Sequence, residues 1–357
     1  MIGITHNNLN GVAIEYMSII KKWFYSDDCD MDNCNILSCN KDKCKMVKTI
    51  QEARTKEDSK SIINMIQFYH NNFDDLILID SIEQFDTYIN LFRNNFKNEI
   101  RIYNAKKKQK NDTSLGTFKE EMKSFYKDFF YADYKGSEKE YKGLTNGGWL
   151  AKKIGMNTCP YCNRQYTFTI KKEKKDGVGI KTIHPEFDHF YSKSTHPWLA
   201  LSFYNLIPSC PTCNHTKHEA KIGINPYFEE FGDNCKFILN GIDLKEIKTK
   251  GVIDKKNIEV DFKFKFKDKN KDKNIAVFGL KELYNGHRDY VEEIIDKAQA
   301  YHLSYYEALK KSYTGLNKQP AEIDRFIWGN YLDTAEHSKR PLSKLTRDIL
   351  EQIGINK

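Results

Sequence analysis

The sequence of 357 residues contains no run of 18 or more apolar residues, so it predicts no transmembrane helix. Its first residues lack the apolar core of a secretory signal peptide, so disulfide bonds formed outside the cell are not expected. Internal repeats are also absent. Charged residues make up 30% of the chain and the mean hydropathy is −0.69. We therefore expect a soluble cytoplasmic protein of two or three domains without a membrane partner.

Cysteine is plentiful, and four of the nine cysteines form two Cys-Pro-x-Cys pairs, Cys159/Cys162 and Cys210/Cys213. In a cytosolic protein such pairs are more often metal ligands than disulfides. Four thiolates at this spacing can close a tetrahedral structural zinc site. The gap between the pairs is 47 residues, longer than the ~15–20 of a plain zinc ribbon. The gap therefore has room for further functional residues, and Asp188, His189 and Asn205 lie within it.

This stretch resembles a known nuclease family. His189, Asn205 and Asn214 fall where HNH endonucleases (ββα-metal nucleases) place their three signature residues, with Asn in place of the final His. The flanking cysteine pairs are similar to the zinc knuckle of many members, including phage Holliday-junction resolvases. The resemblance covers residues 157–218, where the four cysteines and these three residues match in order and spacing.

The resemblance implies a role for each residue. His189 would be the general base, because a neutral imidazole with a pKa near ~6.5 can accept a proton at cellular pH. Asp188 and Asn214 would bind one catalytic divalent cation, Mg²⁺ or Mn²⁺, which prefer oxygen ligands. His218 follows Asn214 by four residues, so on a helix predicted over 214–221 it would share a face with Asn214 and be a further ligand. Asn205 would hold the loop that positions His189.

Basic residues are concentrated around this motif. Residues 151–224 hold eleven Lys and Arg against five Asp and Glu, a surplus of six out of the whole-chain +8. A basic surface around a nuclease motif is typical of a nucleic-acid partner, DNA in the first place. Lys193 and Lys217 are candidate phosphate contacts, and Lys171–Lys181 reads as a basic hairpin turn.

The predicted fold class is α+β. A small zinc-clamped ββα-metal core, residues 151–225, would lie between a mostly helical region, 1–150, and a C-terminal region, 226–357, of strands followed by helices. Alternating apolar and charged residues predict a strand over 258–266. Gly147 and Gly148 interrupt the helical pattern just before the core. The flanks carry no catalytic pattern, so we expect them to be scaffold or a docking site for a partner.

Two narrower hypotheses remain open. Cys29, Cys34, Cys39 and Cys44 recur every five residues and either bind a second zinc or are reduced thiols in a polar loop. The phrases DHFYSKS and YNLIPSCPTCNHTKH also resemble HNH subunits of bacterial phage-defence systems of the Septu type, which work with an ATPase. Ser192 stands where such proteins often have proline.

Alternatives to a DNA endonuclease also follow from the sequence. An HNH site grips phosphate without distinguishing the sugar, so an RNA- or tRNA-cleaving nuclease is one of them. A zinc-stabilised nucleic-acid-binding module without catalysis is the other. That module would use the cysteines and the basic residues but not Asp188, His189 and Asn214.

Overall fold

The computed structural model describes residues 1–25, 35–39, 44–106, 108–171, 182–241, 257–301, 303–315 and 317–355. These residues form two compact units, each built from separate stretches of chain. We call residues 6–155 and 169–207 the helical unit. Residues 1–5, 156–168 and 208–357 form the cysteine unit. The predicted division into three consecutive regions stays a prediction.

The helical unit takes its name from eight helices. They are α1 (Leu9–Phe24), α2 (Lys45–Ala53), α3 (Ser59–Asn71), α4 (Phe73–Leu78), α5 (Ile82–Asn95), α6 (Lys97–Ala105), α7 (Ser114–Tyr131) and α8 (Asn146–Ile154). Polar residues cap several of them: Asn8, Ser81, Thr113 and Thr145 each accept a hydrogen bond from a backbone N–H in the first turn. These caps explain where α1, α5, α7 and α8 begin.

Aromatic side chains of α7 fill the core of the helical unit. Phe125 lies edge to face with Phe24 of α1 at 4.9 Å between ring centroids. Phe24 also packs against Phe73 of α4 at 5.4 Å. Edge-to-face pairs of this kind add to the free energy gained from burying the rings. The long helix α7 is thus the element on which the other helices of this unit pack.

Strand β1 (Glu186–His189) pairs with β2 (Leu206–Ser209), whose first two residues belong to this unit, in a two-stranded sheet. The segment between the strands, residues 190–205, contains two short 3₁₀ helices, Pro197–Leu199 and Phe203–Asn205. Trp198 stacks on Phe92 of α5 with ring centroids 3.6 Å apart. We call residues 190–205 the β1–β2 loop. Aromatic packing fixes its middle against the helices.

The cysteine unit combines a strand pair with seven helices. Its helices are α9 (Pro211–Lys217), α10 (Lys269–Phe278), α11 (Leu280–Asn285), α12 (Arg288–Ala300), α13 (Leu303–Thr314), α14 (Pro320–Trp328) and α15 (Ser343–Ile353). Strands β3 (Cys235–Asn240) and β4 (Glu259–Phe264) are antiparallel, with Cys235 opposite Phe264 and Asn240 opposite Glu259.

Side chains of α15 bind the backbone of β3. Asp348 Oδ2 accepts from the Phe237 N–H at 3.0 Å, and Gln352 accepts from the Leu239 N–H at 2.8 Å. Gln352 also donates to the Leu239 carbonyl at 3.0 Å. Backbone groups on this side of β3 are therefore satisfied by side chains rather than by a further strand.

The predicted α+β class is confirmed, since helices dominate and the strands form only short pairs. The predicted strand over 258–266 appears as β4. The interpretation of Gly147 and Gly148 as a break is wrong, because both lie in the first turn of α8. A Cβ on Gly148 would come within 2.6 Å of Thr182 Cγ2, so close packing explains this glycine. None of the helices that the structure describes is both long and apolar enough to span a membrane.

Candidate functional site

The four paired cysteines lie together in the cysteine unit. The Sγ atoms of Cys159, Cys162, Cys210 and Cys213 are all within 4.8 Å of one another, and all four side chains are buried. Cys162 Sγ and Cys210 Sγ are 3.9 Å apart, far beyond the ~2.0 Å of a disulfide. Four sulfurs at ~2.3 Å from a tetrahedral zinc ion would be roughly 3.8 Å from each other. The chemistry and spacing of this cluster therefore fit zinc, and it could hold one ion.

Hydrogen bonds inside the cluster separate the thiol pKa values. Bonding with Cys159 lowers the pKa of both Cys162 and Cys210. Burial raises the pKa of Cys159, and bonding with Cys159 raises the pKa of Cys213. Four buried thiolates side by side repel one another, so all four ionise together only beside a cation. A bound zinc ion would supply that charge.

Asn163 closes the first cysteine turn. It follows Cys162 with φ of 46°, a left-handed conformation that asparagine tolerates better than most residues, and its N–H donates to the Cys159 carbonyl at 2.7 Å. Its side chain donates to Thr158 Oγ1 and to the His337 and Arg340 carbonyls, and it accepts from the Lys344 N–H. One fully buried amide thus joins the first cysteine pair to the segment before α15.

The second cysteine pair forms the start of α9. Cys210 is the N-cap, and its Sγ accepts from the Cys213 N–H at 3.5 Å. Pro211 occupies the first helical position, where a missing N–H costs nothing. Backbone N–H groups at a helix start favour a negative charge, so this position suits a thiolate. The Pro in each Cys-Pro-x-Cys pair was visible in the sequence, but its helix-starting role applies to this second pair.

Packing from α10 to α12 encloses the first cysteine pair. The hydroxyl of Tyr284, a fully buried residue, donates to the Cys162 carbonyl, and burial raises the pKa of this phenol. Tyr161 stacks on Phe278 at 4.5 Å. Arg164 Nε donates to His287 Nε2 at 2.8 Å. Sequence reasoning missed these supports and Asn163, because no local pattern distinguishes them from other polar or aromatic residues.

His189 ends β1 in the helical unit, where it is 5% exposed. Its Nε2 lies 3.0 Å from the Ala200 carbonyl oxygen. A carbonyl can only accept, so Nε2 carries the hydrogen and Nδ1 is the basic nitrogen of the neutral ring. Tyr126 of α7 lies edge to face with the imidazole at 4.7 Å. The ring is therefore held in one orientation and one tautomer.

Asn205 binds both ends of the β1–β2 loop. Its Oδ1 accepts from the Tyr191 N–H at 2.7 Å, and its Nδ2 donates to the carbonyls of Tyr191 at 3.1 Å and Leu199 at 2.8 Å. The amide is fully buried. These bonds give Asn205 the loop-holding position that the resemblance implies. Asp188 precedes His189 in β1 and is 3% exposed, and successive strand residues point to opposite faces.

The two candidate phosphate contacts differ in their surroundings. Lys193 in the β1–β2 loop is half-buried, with its Nζ 4.5 Å from the centre of the Tyr126 ring. Burial, followed by repulsion from Lys123, lowers the pKa of Lys193. Lys217 is only 1% exposed. A lysine that contacts a phosphate backbone needs access to it, so Lys193 is the better placed of the two.

The predicted helix over 214–221 is wrong in its bounds. Helix α9 begins at Pro211 and ends at Lys217. His218 is its C-cap with φ of 47°, so His218 lies outside the helix and the shared helix face is a wrong expectation. Asn214 is half-buried and His218 exposed. Asp188, His189 and Asn205 belong to the helical unit and these two residues to the cysteine unit, so their assembly into one metal site stays a prediction.

Two other expectations fall mainly outside the described residues. Cys29 and Cys34 are not among them, whereas Cys39 is half-buried and Cys44 is fully buried at the N-cap of α2. A second zinc site therefore stays a prediction. In the basic stretch over 171–181, only Lys171 is described, and it is exposed.

Comparison with known proteins gives one informative similarity. The chain is 30% identical over 105 residues to the Septu protein PtuB of Bacillus thuringiensis, a match that covers 28% of this chain and 36% of that protein. The similarity thus spans about a third of the relative's length. No family model matches the chain. No solved structure matches it either.

Proposed function

We propose that the chain is a zinc-stabilised, metal-dependent HNH-type endonuclease that hydrolyses phosphodiester bonds of DNA. The observation that carries the proposal is the ordered imidazole of His189 in a stretch bracketed by the two halves of a buried four-cysteine cluster. A binding module would use the cysteine cluster but has no need of a histidine held in a single tautomer. This arrangement supports catalysis over binding alone.

The proposed chemistry assigns proton transfer to His189. Because Nε2–H is bound to the Ala200 carbonyl, Nδ1 is the atom that accepts a proton from the attacking water. Asn205 keeps the loop closed around this position through Tyr191 and Leu199. Tyr126 limits rotation of the ring. Each contact therefore serves to position the base.

The proposed divalent cation, Mg²⁺ or Mn²⁺, would stabilise charge on the phosphoryl oxygens and the departing oxygen. Asp188 would offer a carboxylate oxygen and Asn214 an amide oxygen, the ligand atoms that such cations prefer. His218 would offer a nitrogen, which widens the range of acceptable metals. The four cysteines would bind zinc for stability and remain apart from the reaction.

The proposed biological setting is anti-phage defence together with an ATPase partner. Two observations support it: the sequence resemblance to Septu-type HNH subunits and the similarity to the Septu protein PtuB. The surplus of basic residues over 151–224 supports DNA as the substrate. The flanking parts of both units offer surface on which such a partner would dock.

The decisive experiment compares His189→Ala with the wild type, using His6→Ala at an exposed histidine as matched control. Each chain is assayed together with the product of its neighbouring gene, on DNA and with added Mg²⁺ or Mn²⁺. We expect His189→Ala to lower the cleavage rate by at least ~10²–10⁴-fold, the usual contribution of a general base. Zinc content, melting temperature and DNA affinity should stay near wild type, because the imidazole contributes to none of them directly.

The result would also distinguish the alternatives. Equal cleavage by His189→Ala and the wild type would overturn the assignment of the base. Cleavage of tRNA but not of DNA would identify an RNA nuclease. DNA binding without cleavage by the complete complex would favour the binding module. Products of the proposed reaction should carry 5′-phosphate and 3′-hydroxyl ends.

A further inference from the structure

A cavity of about 240 Å³ lies in the helical unit, away from the contacts of His189 described above. Helices α5, α6 and α7 and the β1–β2 loop supply its walls. The lining residues are Phe92, Arg93, Ile100, Tyr103, Asn104, Leu115, Lys119, Thr195, His196 and Trp198. The volume is below the ~300–1,000 Å³ of sites for drug-sized ligands, so the occupant would be a small molecule.

Lys119 is the unusual residue of this cavity. The side chain comes from α7, and the residue is only 8% exposed. Its Nζ lies 4.1 Å from the centre of the Tyr103 ring. No carboxylate in the described part of the chain lies within ion-pair distance of this ammonium group. A buried charge without a counter-charge is costly, so an anion entering the cavity would be stabilised.

The rim adds a second cation and two neutral polar groups. Arg93, Asn104 and Thr195 are exposed at the cavity, while Lys119 is buried. Arg93 forms no ion pair with any residue that the structure describes. None of the lining residues is acidic. The cavity is therefore cationic both at its rim and in its depth.

Aromatic side chains supply flat apolar walls. Trp198 and Phe92 are stacked at 3.6 Å, which makes that wall rigid. Tyr103 forms a further wall together with the ammonium group above it. Aromatic faces of this kind stack on nucleobases, and amide or hydroxyl groups bind the edges of the bases. Asn104 and Thr195 carry such groups.

We propose that this cavity binds a pyrimidine nucleoside monophosphate. Lys119 and Arg93 would hold the phosphate as charge-assisted partners, and the aromatic walls would hold the single-ring base. Trp198 is two residues before Ala200, whose carbonyl binds His189 Nε2. The ligand would therefore stabilise the β1–β2 loop that orients the imidazole. The binding itself does not depend on the proposed nuclease activity.

The test is calorimetric titration of the full chain with UMP and CMP, compared with uridine, inorganic phosphate and a 5′-phosphorylated oligonucleotide. We expect UMP or CMP to bind at least about tenfold more tightly than uridine or phosphate, because only the nucleotide uses both cations and rings. Tight binding of only the oligonucleotide, lost in the variants below, would identify a strand end as the source of the same chemistry.

Two substitutions locate the ligand. Lys119→Met keeps the methylene stem and removes the charge, and Arg93→Gln removes the exposed charge at the rim without touching the core. Each should weaken nucleotide binding about tenfold or more. Their matched controls are Lys127→Met on the exposed face of α7 and Arg101→Gln on α6. Wild-type affinity in both cavity variants, equal binding of UMP and uridine, or no binding of any nucleotide at millimolar concentration would overturn the proposal.

Discussion

The two cysteine turns and the β1–β2 loop are both irregular stretches of chain that position functional side chains, and each is held by one buried asparagine. Asn163 joins the first cysteine turn to residues far away in sequence, from 337 to 344. Asn205 joins residues 191 and 199, both within fifteen positions of it. Both side chains are fully buried.

The difference lies in what supplies the remaining stability. The cysteine turns converge on four sulfur atoms that a cation can hold together, so metal affinity adds directly to folding. The β1–β2 loop contains no such cluster among its described residues and relies on ring packing, such as Trp198 on Phe92. Removal of metal should therefore damage the cysteine unit first, and the following predictions test that contrast.

The largest effect is expected from Cys210→Ser. The substitution removes one of four sulfur ligands and the N-cap of α9, so the protein should lose zinc and the melting temperature should fall sharply. Elemental analysis and thermal melts measure this. The control is Cys39→Ser, a half-buried cysteine outside the cluster. Full stability of Cys210→Ser without zinc would mean that the cluster is not a metal site.

A smaller effect is expected from the two asparagines, and it should differ in kind. Asn163→Ala and Asn205→Ala should each lower the free energy of unfolding by roughly 2–4 kcal/mol, since each leaves several buried groups without partners. Asn163→Ala should also speed zinc loss to a chelator. Asn205→Ala should leave zinc retention unchanged and lower the cleavage rate.

The matched control for both is Asn98→Ala, because Asn98 is exposed and bonds only at the surface through Arg101. Surface substitutions of this kind change stability by about 0.5 kcal/mol or less. Equal rates of zinc loss in the Asn163 and Asn205 variants would contradict the distinction between the two regions. Urea unfolding and chelator competition provide the two measurements.

The smallest effect concerns pH. Burial lowers the pKa of His337, whose carbonyl binds Asn163, to about 3. The unfolded chain then takes up a proton near ~6.5, so this contribution is complete above ~6.5 and is lost as pH falls toward 3. We expect roughly 2–4 kcal/mol less stability at pH 4 than at pH 7 from this group.

His337→Gln should reduce this loss of stability between pH 7 and pH 4, while His6→Gln, at an exposed position, should not. Denaturant unfolding at both pH values measures the difference. Protonation of the cysteines acts equally on all three proteins, so it cancels in the comparison. An unchanged pH dependence in His337→Gln would show that this histidine is not the group responsible.

Local sequence patterns were sufficient for several features. The Cys-Pro-x-Cys spacing predicted the cluster of Cys159, Cys162, Cys210 and Cys213, because residues two apart in a turn present their side chains to one point. Alternation over 258–266 predicted β4, since one face of the strand is buried. The bounds of α9 were missed because its start depends on Cys210 as cap, and the cap depends on the folded turn.

The sequence by itself determined the α+β class, the zinc-ligating residue types and the position of the Asp188-His189 pair, because each is encoded within a short window of residues. Only the tertiary structure decided what holds them. The bond from His189 to Ala200, the reach of Asn163 to His337 and the approach of Thr182 to Gly148 join residues distant in sequence. Such contacts have no local periodicity, since they arise when separate elements pack and their buried polar groups need partners.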